Sequence, residues 1–204
     1  MIKELIEKIN NHSGEFLCEA IGAEENKKIV NFSHTIEPPE KANDIPHVGD
    51  IAEFYSLIGS LTLYYCPESD EAAYYLGHPT EWESFEEEFS DWLDMLDEDE
   101  EEEVLPPWFR SHKVIGEIPA SGNFILLVTG GDESGVIYSF DHDGFEFKKL
   151  GSTIEEFILL ALDPTPDYFS EIVTYMRFTL ESDEHQWWAR ELRHNSGKIV
   201  RNND

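Results

Sequence analysis

Basic residues are missing from a long internal part of the chain. No lysine or arginine occurs between Lys41 and Arg110, although this interval contains six acids before residue 81 and fourteen in residues 81–103. The whole chain has 14 basic and 44 acidic residues, a net charge of −30, so two thirds of the excess negative charge falls in one third of the chain. A field of this sign repels nucleic acids and anionic membranes and attracts basic proteins. We therefore expect a basic protein as partner, and neither nucleic acid nor membrane.

Cysteine and long apolar runs are also scarce. The two cysteines, Cys18 and Cys66, have no metal-type spacing and are too few for a disulfide scaffold, so we expect reduced thiols. No apolar run approaches the ~20 residues that span a bilayer. The N-terminus carries acids and has no apolar segment of the kind found in signal peptides. These absences predict a cytoplasmic protein.

The acidic residues 80–103 organise the rest of the sequence. Five apolar side chains recur there at steps of three and four and so share one helical face: Trp82, Phe85, Phe89, Trp92 and Leu96. Thr80 is the predicted N-cap, with Glu83 placed to complete a capping box. Residues 97–103 are an unbroken run of acids that repel one another, so we expect a frayed helix end or a disordered loop there.

The remaining sequence predicts an α+β fold. Strand patterns occur at residues 15–21 and 28–36 around a polar turn at 24–26, and then at 61–66, 72–76, 113–118, 123–129, 135–141 and 145–150. Helices are predicted at residues 2–9, at 51–58 with Asp50 as N-cap, after a Ser152–Glu155 capping box, and at 168–180. We therefore predict a single antiparallel meander sheet of about six strands flanked by helices.

Three parts of the chain are expected to differ in role. Residues 45–163 form the predicted core domain. Residues 1–44 are an N-terminal extension, with a helix and candidate strands, that packs on the core. Residues 164–204 are a C-terminal helical extension, amphipathic over 181–193, that ends in a loose polar tail.

Several local motifs point to a known family. Ile45-Pro46 precedes the predicted helix that contains Phe54-Tyr55 and ends at Gly59. The segment Gly135-Val-Ile-Tyr-Ser-Phe-Asp-His142 and the helix that begins with Ser152-Thr-Ile-Glu-Glu-Phe157 follow in order. By these motifs residues 45–163 resemble the SUKH superfamily, whose members include bacterial immunity proteins and a yeast regulator of cell-wall synthesis. The resemblance implies an α+β fold and, for many bacterial members, a toxin-neutralising role.

The acids supply the candidate partner-binding residues. They are Glu83, Glu86, Glu87, Asp91, Asp94, Asp97, Glu98, Asp99, Glu100, Glu101, Glu102, Glu103, Asp132 and Glu133. Charge alone fits either a solvated face or a docking surface, and the family resemblance favours docking. We expect a non-enzymatic bacterial immunity protein, monomeric or weakly dimeric, that occludes a cognate basic toxin domain such as a nuclease. The alternative is a regulatory or scaffold module of the same fold with no toxin partner.

Motifs for catalysis, metals or cofactors are weak. Asp141-His142-Asp143 offers two carboxylates to a cation, which leaves a metal-dependent enzyme as a third hypothesis. The same residues precede Gly144 between two predicted strands, as turn residues do. The eight histidines have no zinc-ligand spacing, and Cys66 has no adjacent base. We therefore predict no catalytic residue, no metal and no cofactor.

Overall fold

The computed structural model describes residues 1–42, 44–180 and 183–202, except for the side chains of Glu98 and Glu102. These residues form the strands β1 Gly14–Ala20, β2 Ala23–Glu37, β3 Ser60–Tyr65, β4 Tyr74–Leu76, β5 His112–Ile118, β6 Asn123–Val128, β7 Ile137–Asp141, β8 Glu146–Gly151, β9 Trp187–His194 and β10 Ile199–Arg201. They make one antiparallel sheet in the order β10-β9-β1-β2-β3-β4-β5-β6-β7-β8. Strands β1 to β8 follow one another as a meander, and the last two strands extend the sheet beyond β1.

Helices cover both faces of this sheet. They are α1 Ile2–Asn11, α2 Ile51–Leu57, α3 Trp82–Leu93, α4 Glu98–Val104, α5 Ile154–Leu162 and α6 Pro166–Val173, with a 3-10 turn at Phe109–Ser111. Successive side chains of a strand point to opposite faces. In β4 the ring of Tyr74 contacts Phe157 of α5, whereas the ring of Tyr75 contacts Phe85 of α3. α3 and α5 therefore lie on opposite sides of the sheet. Across the described residues, no helix is long and apolar enough to cross a bilayer.

One continuous hydrophobic core joins the two ends of the chain to its middle. Ile2 of α1, Phe140 of β7 and Leu192 of β9 are all fully buried and belong to the same cluster. The described parts of the predicted extensions, residues 1–44 and 164–204, therefore share the core of the central residues.

The α+β class and the single antiparallel sheet are confirmed, but the described residues form ten strands where about six were expected. The C-terminal part was predicted to be a helical extension with a loose tail. In residues 164–180 and 183–202, which the structure describes, it contains one helix, α6, followed by strands β9 and β10. Leu192 of β9 lies opposite Phe16 of β1, and Val200 of β10 lies opposite Leu192. These buried side chains continue the apolar face of the sheet, and this burial overrides the local helical pattern.

The first hairpin turns earlier than the sequence predicts. The polar residues 24–26 lie inside β2, and the turn consists of Ile21 and Gly22. Gly22 has φ +78°, a left-handed conformation that glycine adopts without steric cost. The turn therefore forms where the backbone permits it, and not where the side chains are most polar.

The N-cap of α3 is Glu81 and not Thr80. The hydroxyl of Thr80 donates to His78 Nδ1 at 2.7 Å and makes no bond to the helix. The carboxylate of Glu81 accepts the backbone N–H of His78 at 2.7 Å and the hydroxyl of Tyr75 at 2.8 Å. The side chains at this helix start therefore tie α3 to β4 and to the loop before the helix, and they form no capping box.

The cap of α5 lies one residue later than the predicted Ser152–Glu155 box. Thr153 is the N-cap, and its hydroxyl accepts the N–H of Glu156 at 3.1 Å. Asp50, the predicted cap of α2, makes no side-chain bond to its own helix. Its carboxylate accepts the N–H groups of the first two residues of α5, at 3.2 and 3.0 Å. Asp50 therefore joins the two helices.

The carboxylate of Glu71 holds the chain between α6 and β9. It accepts the backbone N–H groups of Arg177 at 2.7 Å, Phe178 at 2.9 Å and Thr179 at 3.4 Å. Phe178 has φ +48°, so the chain bends sharply at this carboxylate. The bend and the Glu71 carboxylate hold residues 177–179 outside a helix, so α6, which ends at Val173, does not continue to residue 180 as predicted.

We expect Glu71→Ala to destabilise the fold by about 2–3 kcal/mol, because hydrogen bonds to a charged group contribute about 1.5–3 kcal/mol. Urea unfolding measures the change. Glu68→Ala is the matched control, since Glu68 is an exposed acid of the same turn. Equal losses in the two variants would contradict the proposed role of Glu71.

Candidate binding surface and histidine chain

Aromatic side chains fix α3 on the sheet and turn its acids outward. The ring of Phe89 lies 5.7 Å from that of Phe124 and 5.0 Å from that of Phe140, in edge-to-face geometry. The helix ends at Leu93, so Leu96 falls in the turn after it. The helical prediction for this stretch is confirmed, and its aromatic face is the buried face.

Most of the predicted contact acids are exposed. The exposed acids of α3 and its C-cap, and of α4 and its N-cap, form a surface that we name the acidic face: Glu83, Glu87, Glu88, Asp91, Asp94, Asp97, Asp99, Glu100, Glu101 and Glu103. Asp132 is exposed in the turn between β6 and β7. Glu86 and Glu133 are half-buried and make internal contacts. The side chains of Glu98 and Glu102 lie outside the described part of the chain.

The contacts of Glu86 and Glu133 are structural. Glu86 accepts the backbone N–H of Val114 at 3.2 Å and lies 3.2 Å from His112 Nε2. Burial alone would raise the pKa of Glu86, but the hydrogen bond and charge of His112 and the N–H of Val114 together lower this pKa. Glu133 accepts the hydroxyl of Tyr138. These two acids are therefore poor candidates for partner contacts.

The acidic run 97–103 contains a helix, α4, where we expected a frayed end or a disordered loop. Asp97 caps it by accepting the N–H groups of Asp99 at 3.1 Å and Glu100 at 3.0 Å, and the Glu100 carboxylate accepts the N–H of Asp97 at 3.1 Å. Acids in a first turn are favourable to the helix dipole. The last turn contains no basic residue, so Glu101 and Glu103 oppose the dipole. The capping acids thus have a structural role, and the later acids have none.

The acidic face lacks counter-charges. On the other half of the sheet, acids are paired across strands, as Glu19 is with Lys27 at 3.1 Å and Glu191 with Arg201 at 3.0 Å. Among the described side chains, Glu86 is the one acid of α3 or α4 that forms an ion pair. The ion pairs that lysines and arginines form among the described residues therefore lie elsewhere and leave this surface strongly negative.

A neighbouring carboxylate responds to this negative field. Glu117 lies on β5, beneath α3. Its pKa is raised, first by burial and then by the carboxylates of Glu88 and Glu81. The field of the acidic helix thus reaches the sheet on which the helix packs.

The Asp141-His142-Asp143 segment is a turn. Asp141 accepts the backbone N–H of Asp143 at 3.0 Å and the hydroxyl of Tyr175 at 2.7 Å. The imidazole of His142 pairs with the Asn123 side chain at 2.7 Å. No group of three side chains that could hold a metal ion occurs in the described part of the chain. The turn interpretation is therefore confirmed.

Three of the eight histidines meet in space, although they are far apart in sequence. His12 ends α1, His34 lies in β2, and His194 ends β9. His12 Nδ1 is 2.7 Å from His34 Nε2, and His12 Nε2 is 2.7 Å from His194 Nδ1. The backbone N–H of Tyr64 donates to His34 Nδ1 at 3.0 Å. We name these three residues the histidine chain.

The N–H of Tyr64 sets the tautomer of every ring. Because His34 Nδ1 accepts this bond, the proton of neutral His34 lies on Nε2 and is donated to His12. His12 in turn donates from Nε2 to His194 Nδ1. The proton of His194 then lies on Nε2, which is buried and has no partner among the described residues. Since every accepting ring nitrogen of the three histidines is occupied, the histidine chain offers no lone pair to a metal ion.

His12 and His194 lie at one wall of a groove of about 900 Å³. Burial, followed by the charge of His194, lowers the pKa of His12 to about 4. Burial, followed by the charge of His12, lowers the pKa of His34 to about 3. The pKa of His194 is also lowered, by burial and then by Lys198, against the opposing charge of Asp163. The rings are therefore neutral at neutral pH.

Sequence reasoning missed this cluster because no local spacing connects its members. Two strand pairings bring it together: Gly14 of β1 lies opposite Phe32 on one side and opposite His194 on the other. The second pairing depends on β9 being a strand, which the sequence pattern did not indicate.

Comparison of the chain with protein-family models, with curated proteins and with solved structures gives no match. The SUKH resemblance therefore remains a prediction from the motifs of residues 45–163.

Replacing Glu117 by glutamine should raise the free energy of unfolding at neutral pH, because the fold disfavours the ionised form of this side chain. The gain should disappear as the pH falls below 4.5, the ordinary pKa of the group, since the carboxyl is then protonated in both states. Urea unfolding at the two pH values checks this. Glu25→Gln, at an exposed position of β2, is the control, and an equal gain there would contradict the argument.

The histidine chain should make stability depend on pH. Its stabilisation is complete above pH 6.5, the ordinary pKa, and is lost as the pH falls towards about 4, because unfolding then takes up protons. Each histidine contributes a slope of about 1.4 kcal/mol per pH unit. His12→Gln should reduce the slope of unfolding free energy over this range by up to about 1.4 kcal/mol per pH unit. The exposed His47 provides the control variant His47→Gln. Equal slopes in both variants would contradict the role of the histidine chain in the pH dependence of stability.

Proposed function

We propose that this protein is a non-enzymatic immunity protein that neutralises a basic toxin domain by binding it to the acidic face. The observation that carries the proposal is the set of exposed carboxylates on α3 and α4 that form no ion pair within the described part of the chain. The resemblance of residues 45–163 to the SUKH superfamily supports a toxin as the partner, because many bacterial members of that family neutralise toxins.

The support of α3 suits a binding role. Phe89 and the other aromatic side chains bury one side of the helix, so the acids on the opposite side are held on a rigid element. Charged groups that are fixed before binding lose less conformational entropy when a partner arrives. A merely solvated face requires no such fixed arrangement.

An exposed apolar side chain lies within the acidic surface. Met95 is 69% exposed and lies in the turn between Asp94 and Asp97, where α3 gives way to α4. Interfaces typically have an apolar centre, in which methionine is enriched, and a polar rim. The partner that fits this surface has an apolar depression bordered by lysines and arginines.

Steering followed by occlusion is the mechanism that this charge distribution favours. Opposite net charge raises the association rate of two proteins, and salt reduces this effect. A nuclease cleft binds phosphates through lysines and arginines. Carboxylates of the acidic face would take the place of those phosphates and block access to the cleft. Binding would also relieve the mutual repulsion of the acids.

Charge reversal tests the proposal. In the triple variant Glu87→Lys, Asp91→Lys and Asp94→Lys, we expect the association rate with the product of the adjacent gene to fall at least tenfold at low salt. The three side chains are exposed and form no ion pair with the residues that the structure describes, so the fold should be retained. Stopped-flow association at several salt concentrations measures the effect, and toxin neutralisation in cells provides the second readout.

The matched control reverses three exposed acids elsewhere, Glu24, Glu25 and Glu184, and produces the same change in net charge. We expect a much smaller effect on the rate from this variant. An unchanged rate in the acidic-face variant, or equal losses in both variants, would contradict docking at the acidic face. Binding to an adjacent gene product that has no toxic activity would favour the regulatory or scaffold alternative.

A further inference from the structure

The histidine chain has no room for an additional proton. It contains two ring-to-ring hydrogen bonds and one bond from the Tyr64 backbone, and each requires one hydrogen between its two heavy atoms. The Tyr64 N–H supplies the hydrogen of the third bond permanently. The three protons of the neutral rings fill the two ring-to-ring bonds and the terminal His194 Nε2. A fourth proton therefore forces two N–H groups to face each other at one of the bonds.

The position of the histidine chain gives this clash a structural consequence. His12 is the C-cap of α1, His34 lies in β2, and His194 pairs with Gly14 at the end of β9. The rings therefore connect the N-terminal helix, the sheet and the C-terminal hairpin formed by β9 and β10. Opening the histidine chain separates these three elements at one corner of the molecule.

The charged groups that face the chain do not favour a proton enough to offset the clash. They are Glu4, Glu7 and Lys8 on α1, Asp163 after α5, Lys198 between β9 and β10, and the paired Glu15 of β1 and Arg193 of β9. Asp163 is the acid that acts on His12 and His194, and it is paired with Lys198. The ring of His34 also contacts the rings of Phe32 and Tyr64.

Backbone geometry at Tyr64 shows that this arrangement is costly to build. Tyr64 is fully buried and has φ +57°, a left-handed conformation that is unfavourable for an aromatic residue. The pairing of β2 with β3 is irregular at this point, between Ser33 and Thr35. The irregularity directs the Tyr64 N–H to His34. Local strain of this kind is often retained where a structure must switch.

We propose that the histidine chain is an acid-sensitive latch, which at neutral pH holds α1 and the β9–β10 hairpin against β1 and β2 and releases them when it is protonated. The latch is independent of the acidic face. Acidification would thereby widen the groove beside His194 while the part of the sheet from β5 to β8 remains folded.

Hydrogen exchange of the full chain at neutral pH and near pH 5, corrected for intrinsic rates, tests the latch. We expect the protection of amides in α1, β9 and β10 to fall by about thirtyfold for each histidine that regains its ordinary pKa in the open state. Amides of β6 and β7 should change much less. Uniform loss across the sheet, or no loss in α1, β9 and β10, would overturn the proposal.

A second variant separates the latch from general effects of acid. In His34→Asn the side-chain oxygen still accepts the Tyr64 N–H, but one titrating ring is absent. The fall in protection of β9 and β10 between the two pH values should be about thirtyfold smaller than in the parent chain. His47→Asn, at an exposed site, should leave the fall unchanged. A full pH-dependent loss in His34→Asn would overturn the role of the histidine chain.

Discussion

Burial of the Phe89 ring between α3 and the sheet is the contact on which the acidic face depends. The helix that carries the acids has few favourable electrostatic terms of its own, since its neighbours are also acidic. Aromatic packing against Phe124 and Phe140 supplies the stability that the charge removes. Because packing fixes the helix, its repelling carboxylates remain close together and do not disperse into solvent.

The two halves of the sheet use their charges in opposite ways. Around β1 and β9 the acids have cross-strand partners, such as Glu15 with Arg193, so this surface is close to locally neutral. On α3 and α4 the exposed acids have no such partners in the described part of the chain, and only the half-buried Glu86 is paired, with His112. The excess negative charge is therefore concentrated on one surface of the molecule and is not spread evenly over it.

The sequence predicted elements whose signals are local. Helix α3 follows from aromatic side chains at helical spacing, and β5 to β8 follow from short apolar runs between turn residues. Strand β9 could not be predicted in the same way. Its residue Leu192 is buried against Phe16 of β1, which lies more than 170 residues earlier in the sequence.

The same limit applies to the two sites. The acidic face is contiguous in sequence and was visible there, whereas the histidine chain exists only after distant strands have paired. The predicted positions of helix caps were wrong by one residue, as for Ser152 where the cap is Thr153, because several polar side chains compete for the same N–H groups.

The return of β9 and β10 to the edge of β1 also affects how the chain acquires its fold during synthesis. β1 and β2 leave the ribosome early and can form their hairpin at once, but the far edge of β1 stays unpaired until residues 187–201 have been made. An unpaired strand edge is a template for association with other chains. Contacts over such a long sequence separation also form slowly. The nascent protein is therefore most vulnerable to aggregation at β1, and it loses that vulnerability only when its last strands dock.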